Sequence, residues 1–175
     1  MKIDQITAVI TGATGGIGRS FCQHLIENGA TIIMVGRDER ALEDFQHELL
    51  VQMVVKPNQV HFYACDLLKN EDRQGLIHHI ENFHCPVNTL INNAGDNEFG
   101  LLENLTDQRM ENIMRLNTFI PMSLSRALIP HFSQQAQAQI INIGSTFGSI
   151  GYPGYSVYCS SKFALRGFSE ALRRE

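Results

Sequence analysis

Along the chain, short β-branched apolar runs alternate with longer stretches whose apolar positions recur at helical spacing. The runs at Thr7 to Thr11, Thr31 to Val35, Val60 to Cys65, Thr89 to Asn92 and Gln139 to Ile143 read as strands. Helical periodicity covers 17–28, 39–51, 71–83 and 107–132, and a further helix starts at Tyr155. Asn28-Gly29 ends the first helix, because glycine readily takes the left-handed turn that a helix C-terminus often needs. Strand-helix alternation of this kind predicts βαβ units and a doubly wound parallel sheet, an α/β fold. The connections are short and carry no repeat or low-complexity tract, so residues 1–175 are expected to form a single domain. The last helix carries an apolar stripe of Leu165, Phe168 and Leu172 and reaches Glu175 without a Gly or Asn cap. A sheet of this design ordinarily continues past such a helix, so the domain is expected to be C-terminally incomplete, lacking the usual last strands.

Composition narrows the function classes. With 175 residues and 43% hydrophobic content, one globular core is the expectation. A net charge of -4 with scattered basic residues gives no pull toward nucleic acid or anionic lipid, leaving a small molecule as the expected partner. No apolar run approaches the ~20 residues that span a bilayer, and MKIDQITAVITG enters a strand too early for a signal peptide. A cytoplasmic protein is expected. Cys22, Cys65, Cys85 and Cys159 show no C-x-x-C spacing and read as reduced thiols. His78, His79, His84 and Cys85 lie close in sequence, but adjacent histidines diverge by about 100° on a helix. A surface face is expected there, and no metal site.

Between the first strand and first helix stands TGATGGIG, Thr11 to Gly18. A strand, a glycine turn and a helix N-terminus form an anion site, where unpaired N–H groups and the positive end of the helix dipole face a phosphate. Two spacings fit: T-G-x-x-x-G-x-G through Gly12, Gly16 and Gly18, or G-x-x-G-x-x-G through Gly12, Gly15 and Gly18. The turn alone does not choose between them.

Further along come NNAG at Asn92 to Gly95, an asparagine at 117, a serine at 145 and Y-x-x-x-K from Tyr158 to Lys162. Taken together these motifs resemble the compact, NADP(H)-dependent branch of the short-chain dehydrogenase/reductase superfamily, over the whole chain. The resemblance implies a Rossmann-like fold and selects the first glycine spacing. It implies that Gly12, Thr14, Gly16, Ile17 and Gly18 approach the cofactor's phosphates. It also places Asn93, Ala94 and Gly95 close to the cofactor, and makes Asp66 of YACDL the adenine-contacting aspartate.

The cofactor's identity turns on VGR at the end of the second strand. An acidic residue there accepts from a ribose 2'-hydroxyl, whereas an arginine pairs with a 2'-phosphate. Arg37 therefore favours NADP(H) over NAD(H). Asp38 opposes that reading if it points inward and leaves it intact if it caps the next helix.

Carbonyl reduction by hydride needs a proton donor at oxygen. A free phenol, titrating near ~10, is a poor base for the reverse reaction unless a positive charge favours the phenolate. Tyr158 and Lys162, four residues apart on one helix, meet that requirement by spacing. Ser145 follows the apolar run QIINIGS, so its hydroxyl should emerge at the carboxyl edge of the sheet. Pro121 lacks the N–H that would bond the carbonyl of Asn117. By resemblance, Tyr158 is the acid/base, Lys162 its activator and a ribose binder, Ser145 the carbonyl positioner, and Asn117 holds a water through its main chain. Tyr152 and Tyr155 are nearby hydroxyls without matching spacing. Asp96, Glu98 and Glu103 sit in a loop after NNAG with no partner legible in the sequence.

The implied function is an NADP(H)-dependent oxidoreductase interconverting a carbonyl and an alcohol. The alternative is a nucleotide-binding protein without turnover, its substrate segment absent. A sugar-nucleotide-modifying enzyme is disfavoured by NNAG and the short chain. Resemblance also implies a homo-oligomer built on the helices around 107–132 and 155–175.

Overall fold

The computed structural model describes residues 1–53 and 55–175. Five strands, β1 (Thr7–Thr11), β2 (Thr31–Gly36), β3 (Val60–Ala64), β4 (Thr89–Asn92) and β5 (Gln139–Asn142), form one parallel sheet in the order β3-β2-β1-β4-β5. Registers run Thr7 to Thr31 and Ala8 to Thr89 at the sheet centre, then Ile32 to Val60 and Thr89 to Gln139 outward.

Side chains on a strand alternate faces, and here both faces are covered. Ala8 and Ile10 of β1 with Ile32 and Met34 of β2 pack against Cys22 and Leu25 of α1 (Gly16–Glu27) and Phe45 and Leu49 of α2 (Glu39–Gln52). Val9, Ile33 and Val35 point the other way, onto Leu76 and Ile80 of α3 (Asn70–Glu81) and onto Leu124 and Leu128 of α5 (Ile120–Phe132). Ile10, Ile32 and Ile33 are fully buried, each stabilising the fold by about 1.5–3 kcal/mol relative to exposure. The chain is thus a single α/β domain with the doubly wound arrangement that its periodicity predicts.

After β3 the chain crosses back to lay β4 beside β1, so strand order reverses between β1 and β4. A crevice opens outside their carboxyl ends, the place where open parallel sheets bind ligands.

One element departs from expectation. The stretch read as a continuous helix over 107–132 is α4 (Asp107–Met114), a π-turn (Arg115–Phe119) and α5. The N–H of Ile120 reaches back five residues to the Arg115 carbonyl. Pro121 follows without an N–H, at the point where the hydrogen-bond ladder changes register. The result is a one-residue bulge at Asn117, where the sequence shows only that Pro121 leaves the Asn117 carbonyl without its helical N–H partner.

The last helix, α6 (Ser156–Leu172), buries Val157, Cys159 and Leu165, while Phe168 and Leu172 are half-buried. Beside it a groove of about 800 Å³ runs along the outer edge of β5, lined by Ile129, Phe132, Ile140 and Leu172 and by none of the candidate site residues. Among the described residues no helix is long and apolar enough to cross a membrane.

Candidate active site

The crevice between β1 and β4 is a cleft of about 480 Å³. Ten of the residues singled out in sequence line it: Gly12, Thr14, Gly16, Ile17, Gly18, Arg37, Asp66, Asn93, Ala94 and Gly95. Its glycines do different work. Gly12 has φ +65°, and a Cβ there would lie 2.9 Å from the Ala94 Cα. A Cβ on Gly18 would overlap the Gly12 carbonyl oxygen and come within 2.8 Å of the Ala13 Cα, so this glycine lets α1 lie against the turn. Gly16 is different, since a Cβ there would meet nothing within 4 Å. Protein packing gives no reason for glycine at 16, whereas an incoming phosphate does. Gly15 precedes the helix without any side-chain cap, so the first N–H groups of α1 have no side-chain partner, and Gly15 to Gly18 line the cleft. These observations fit a dinucleotide's diphosphate.

Opposite the turn, Thr11 ties NNAG in place. Its hydroxyl oxygen accepts from the N–H groups of Asn93 and Ala94, both at 3.0 Å. The Asn93 amide donates to the carbonyls of Thr11 and Gly12, at 2.9 and 3.1 Å, so this side chain holds the glycine turn itself.

At the adenosine end, the Asp38 carboxylate accepts from the N–H of Ala41 at 3.1 Å and caps α2. That settles its direction: it does not turn inward onto the cleft beside Arg37. Asp66 Oδ1 accepts from the N–H of Leu68 at 3.1 Å, so part of its carboxylate shapes a turn while the residue lines the cleft. Buried Arg73 donates to the Leu67 carbonyl at 2.7 Å, and Asp72 accepts from the Asp66 N–H at 2.9 Å, fixing that turn from below. Cys65 lines the same wall, and burial pushes its thiol up to about 12, with Asp72 and Asp66 adding to the rise. Burial likewise pushes Cys22 up to about 12, and all four cysteines are free. Both raised values mark packing thiols.

The second cluster sits on α6. Lys162, only 6% exposed, donates from Nζ to the Ile143 carbonyl at 2.8 Å and lies 5.9 Å from the centre of the Tyr158 ring. Burial holds its ammonium below the ordinary lysine range. A Cβ on Gly95 would sit 3.8 Å from Nζ, so the lysine borders the floor of the cleft. Ser145 follows β5 and caps a short turn, Thr146–Gly148, its Oγ accepting from the N–H of Phe147 at 3.2 Å. That turn lies flat on α6, because a Cβ on Gly148 would come within 3.0 Å of the Lys162 carbonyl.

Asn117 is fully buried in the π-turn and joins the two clusters. Its Oδ1 accepts from the Asp96 N–H at 2.8 Å, and its Nδ2 donates to the Asp96 carbonyl at 2.8 Å and to Ser161 Oγ at 2.9 Å. Ser161 in turn donates to the Tyr158 carbonyl at 2.7 Å. The asparagine was legible in sequence, but this side-chain role was not. Arg109, also missed, holds the loop after NNAG: it pairs with Asp96 and Glu98 and donates to the Asn97 carbonyl at 3.0 Å. Its guanidinium keeps the Asp96 carboxyl below the usual range. Thirteen residues separate the pair across a loop, and no local spacing rule could have found it.

The model of the short chain dehydrogenase family matches residues 6–175. The chain belongs to the short-chain dehydrogenase family. This short-chain dehydrogenase is 31% identical over 168 residues to the 3-oxoacyl-[acyl-carrier-protein] reductase FabG of Haemophilus influenzae, with 96% of this chain and 66% of that one aligned. Among solved structures it is similar to a short-chain dehydrogenase from Sphingobium yanoikuyae in complex with NADPH, with TM-score 0.87 and 28% identity over 96% of this chain and 65% of that one. A metagenomic short-chain oxidoreductase in complex with NADP superposes with TM-score 0.88 at 27% identity, over 99% of this chain and 79% of that one. The chain spans about half to two thirds of the length of the curated relatives it matches. The family is one of oxidoreductases, and these neighbours support a nicotinamide cofactor.

His78 and His84 are exposed, as expected of a surface face, while His79 is half-buried and packs. His79 lies 4.9 Å from the Tyr63 ring and 5.7 Å from Phe83, and burial followed by the field of His61 lowers its basicity. Among the described residues no three His, Cys, Asp or Glu side chains are grouped to hold a metal ion.

Proposed function

We propose that this short-chain dehydrogenase interconverts a carbonyl compound and its alcohol with NADP(H), Tyr158 serving as acid/base. One observation carries the reading: the buried ammonium of Lys162, fixed by the Ile143 carbonyl beside Gly95, lies 5.9 Å from the Tyr158 ring on the same helix. When bound, the reduced nicotinamide supplies a hydride, two electrons with one hydrogen, to the carbonyl carbon and is left as NADP⁺. Tyr158 gives its hydroxyl proton to the carbonyl oxygen as the C=O π bond breaks, and the nearby ammonium favours the phenolate that remains. Ser145 donates to the same oxygen and fixes its position. Asn117 holds the helix segment around Tyr158 through Ser161, and its main chain is assigned the water that returns a proton to Lys162.

In this reading Gly12, Thr14, Gly16, Ile17 and Gly18 surround the diphosphate, and Asp66 meets the adenine. Asn93, Ala94 and Gly95 form the floor, and Tyr158 and Lys162 bind the nicotinamide ribose. Arg37 pairs with the 2'-phosphate, a choice supported by Asp38 being turned away to cap α2. Replacing Arg37 with alanine is expected to weaken NADPH binding by roughly tenfold or more, the scale of a charge-assisted hydrogen bond, and NADH binding far less. Titration of both nucleotides by fluorescence tests it; equal losses for the two would remove Arg37 from the 2'-phosphate. The same titration followed by a ketone panel separates the enzyme from a nucleotide-binding protein, which would bind NADPH and oxidise none of it.

The proposal includes self-association through α4, α5 and α6. Phe119 and Phe163 are 52% and 45% exposed, and Met114 and Met122 join Phe119 around an apolar hollow of about 430 Å³. Sedimentation equilibrium should return a multiple of the chain mass, and a monomer at micromolar concentration would end this part of the reading.

A further inference from the structure

Around Tyr158 the chain gathers aromatic rings that neither the glycine turn nor the proton chemistry requires. Phe147 is the hub. Its ring stacks on Tyr152 at 5.2 Å and 16°, lies 5.4 Å from Tyr155, and stands nearly perpendicular to Tyr158 at 6.3 Å and 82°. Tyr155 closes the group, 6.0 Å from Tyr158 and 5.2 Å from Phe99. Three different segments supply these rings: the loop after β4, the turn that Ser145 caps, and the approach to α6.

The backbone is built to hold them there. Gly154 has φ +81°, and a Cβ on it would lie 2.9 Å from Phe99 Cδ2, so the Phe99 ring rests on bare main chain. The N–H of Gly100 donates to the Gly154 carbonyl at 2.9 Å and locks the loop to the turn. Yet the wall is open to solvent: Phe99 is 69% exposed and Tyr152 is 52% exposed. Fixed, wet aromatic faces offer contact area that loses little conformational entropy when a ligand covers it.

No positive charge is left over on the Phe99 loop. Asp96 and Glu98 share the one guanidinium of Arg109, so the loop keeps a net negative charge. Arg166, on the helix of Tyr158, holds Glu170 and Ser149. An anionic substrate would call for a cation free to receive it, and these arginines are engaged.

We infer that the substrate is an uncharged ketone, or the matching alcohol, with an aromatic ring close to the carbonyl, and that Phe147, Tyr155 and Phe99 select it. This rests on the reductase reading of Tyr158. Ring against ring, edge or offset, adds to the burial of apolar area on each side and discriminates against a substituent of a few polar atoms.

Three ketones test the inference with the full chain and NADPH, phenylacetone, hydroxyacetone and anionic acetoacetate, each rate being taken relative to that ketone's reduction by borohydride. Phenylacetone should be reduced with a kcat/KM at least about tenfold above the others, the scale of a few buried carbons. Phe147→Leu and, separately, Phe99→Ser should each lower the phenylacetone to hydroxyacetone ratio severalfold; the exposed position of Phe99 keeps that variant folded. Preference for either small ketone, or a ratio unmoved by both substitutions, overturns the inference. Saturation-transfer NMR reads the site without turnover. Ring protons of phenylacetone saturated by wild type and several times less by Phe147→Leu support the wall even where no ketone is reduced, a result that sinks only the reductase reading. No saturation with wild type overturns the wall itself.

Discussion

Replacing Tyr158 with phenylalanine is expected to lower kcat by about 10²–10⁴-fold, the range lost when a positioned general acid is removed. The substitution deletes one oxygen and leaves the ring that packs near Phe147 and Tyr155, so folding should be unaffected. Cofactor affinity should move much less than kcat, because the cleft's glycine turn, Arg37 and NNAG floor are untouched. Single-turnover measurement with NADPH and a reducible ketone, alongside a binding titration, gives both quantities. Near wild-type turnover in Tyr158→Phe would exclude Tyr158 as the proton donor and pass the role to another group.

Lys162→Met carries the second large effect, with opposite consequences for activity and for stability against pH. The lysine is buried, and burial disfavours its charged form, so its proton is lost below the ordinary lysine range near ~10.4. Between the lowered value and the ordinary one, the unfolded chain holds a proton that the folded chain has released. Stability of the wild type therefore rises with pH through that window, is flat above it, and bears the full penalty of a buried ammonium below it. The methionine variant has no such term. Denaturant titrations across alkaline pH should show the wild type gaining on Lys162→Met as pH climbs toward the ordinary lysine range. Turnover of the variant should fall by orders of magnitude wherever Lys162 is charged in the wild type, because on this reading the phenolate loses its neighbouring ammonium, and the gap should narrow once pH passes the lowered lysine value. Parallel pH profiles for the two proteins would mean that Lys162 is not titrating from its buried position.

The sheet was readable because its central strands β1, β2 and β4 are apolar runs buried along their length, while the half-buried edge strands β3 and β5 still stand out as short apolar runs between turns. β1 and β4 coincide with the runs that announce them, and β2, β3 and β5 each differ by one residue at the carboxyl end. The π-turn was less legible: Pro121 marks trouble in the helix, but whether the ladder kinks or slips by a residue depends on what Asn117 finds across the interior. Asp38 shows the same limit in miniature. Its sequence position allows an inward charge or a helix cap, and only the position of Ala41's N–H decides. Tyr152 and Tyr155 carried no spacing signal at all, since the rings they join, Phe147 and Phe99, come from other segments. Arg109 and Asp96 likewise meet by tertiary placement. Motifs that act through backbone, such as the glycine turn, are local and survive in sequence; partnerships between side chains on separate elements do not.

The bulge at Arg115–Phe119 amounts to one residue too many in an otherwise regular helix. Deleting Leu116 would return the ladder to its ordinary register and rotate α4 relative to α5 by about 100°. Arg109 would swing away from Asp96 and Glu98, and the amide of residue 117 would leave Asp96 and Ser161. A single codon's length in this helix therefore sets the phase of everything upstream of it, and a chain that lost that codon would keep its sheet and its motifs while putting the NNAG loop and the helix of Tyr158 out of register with each other.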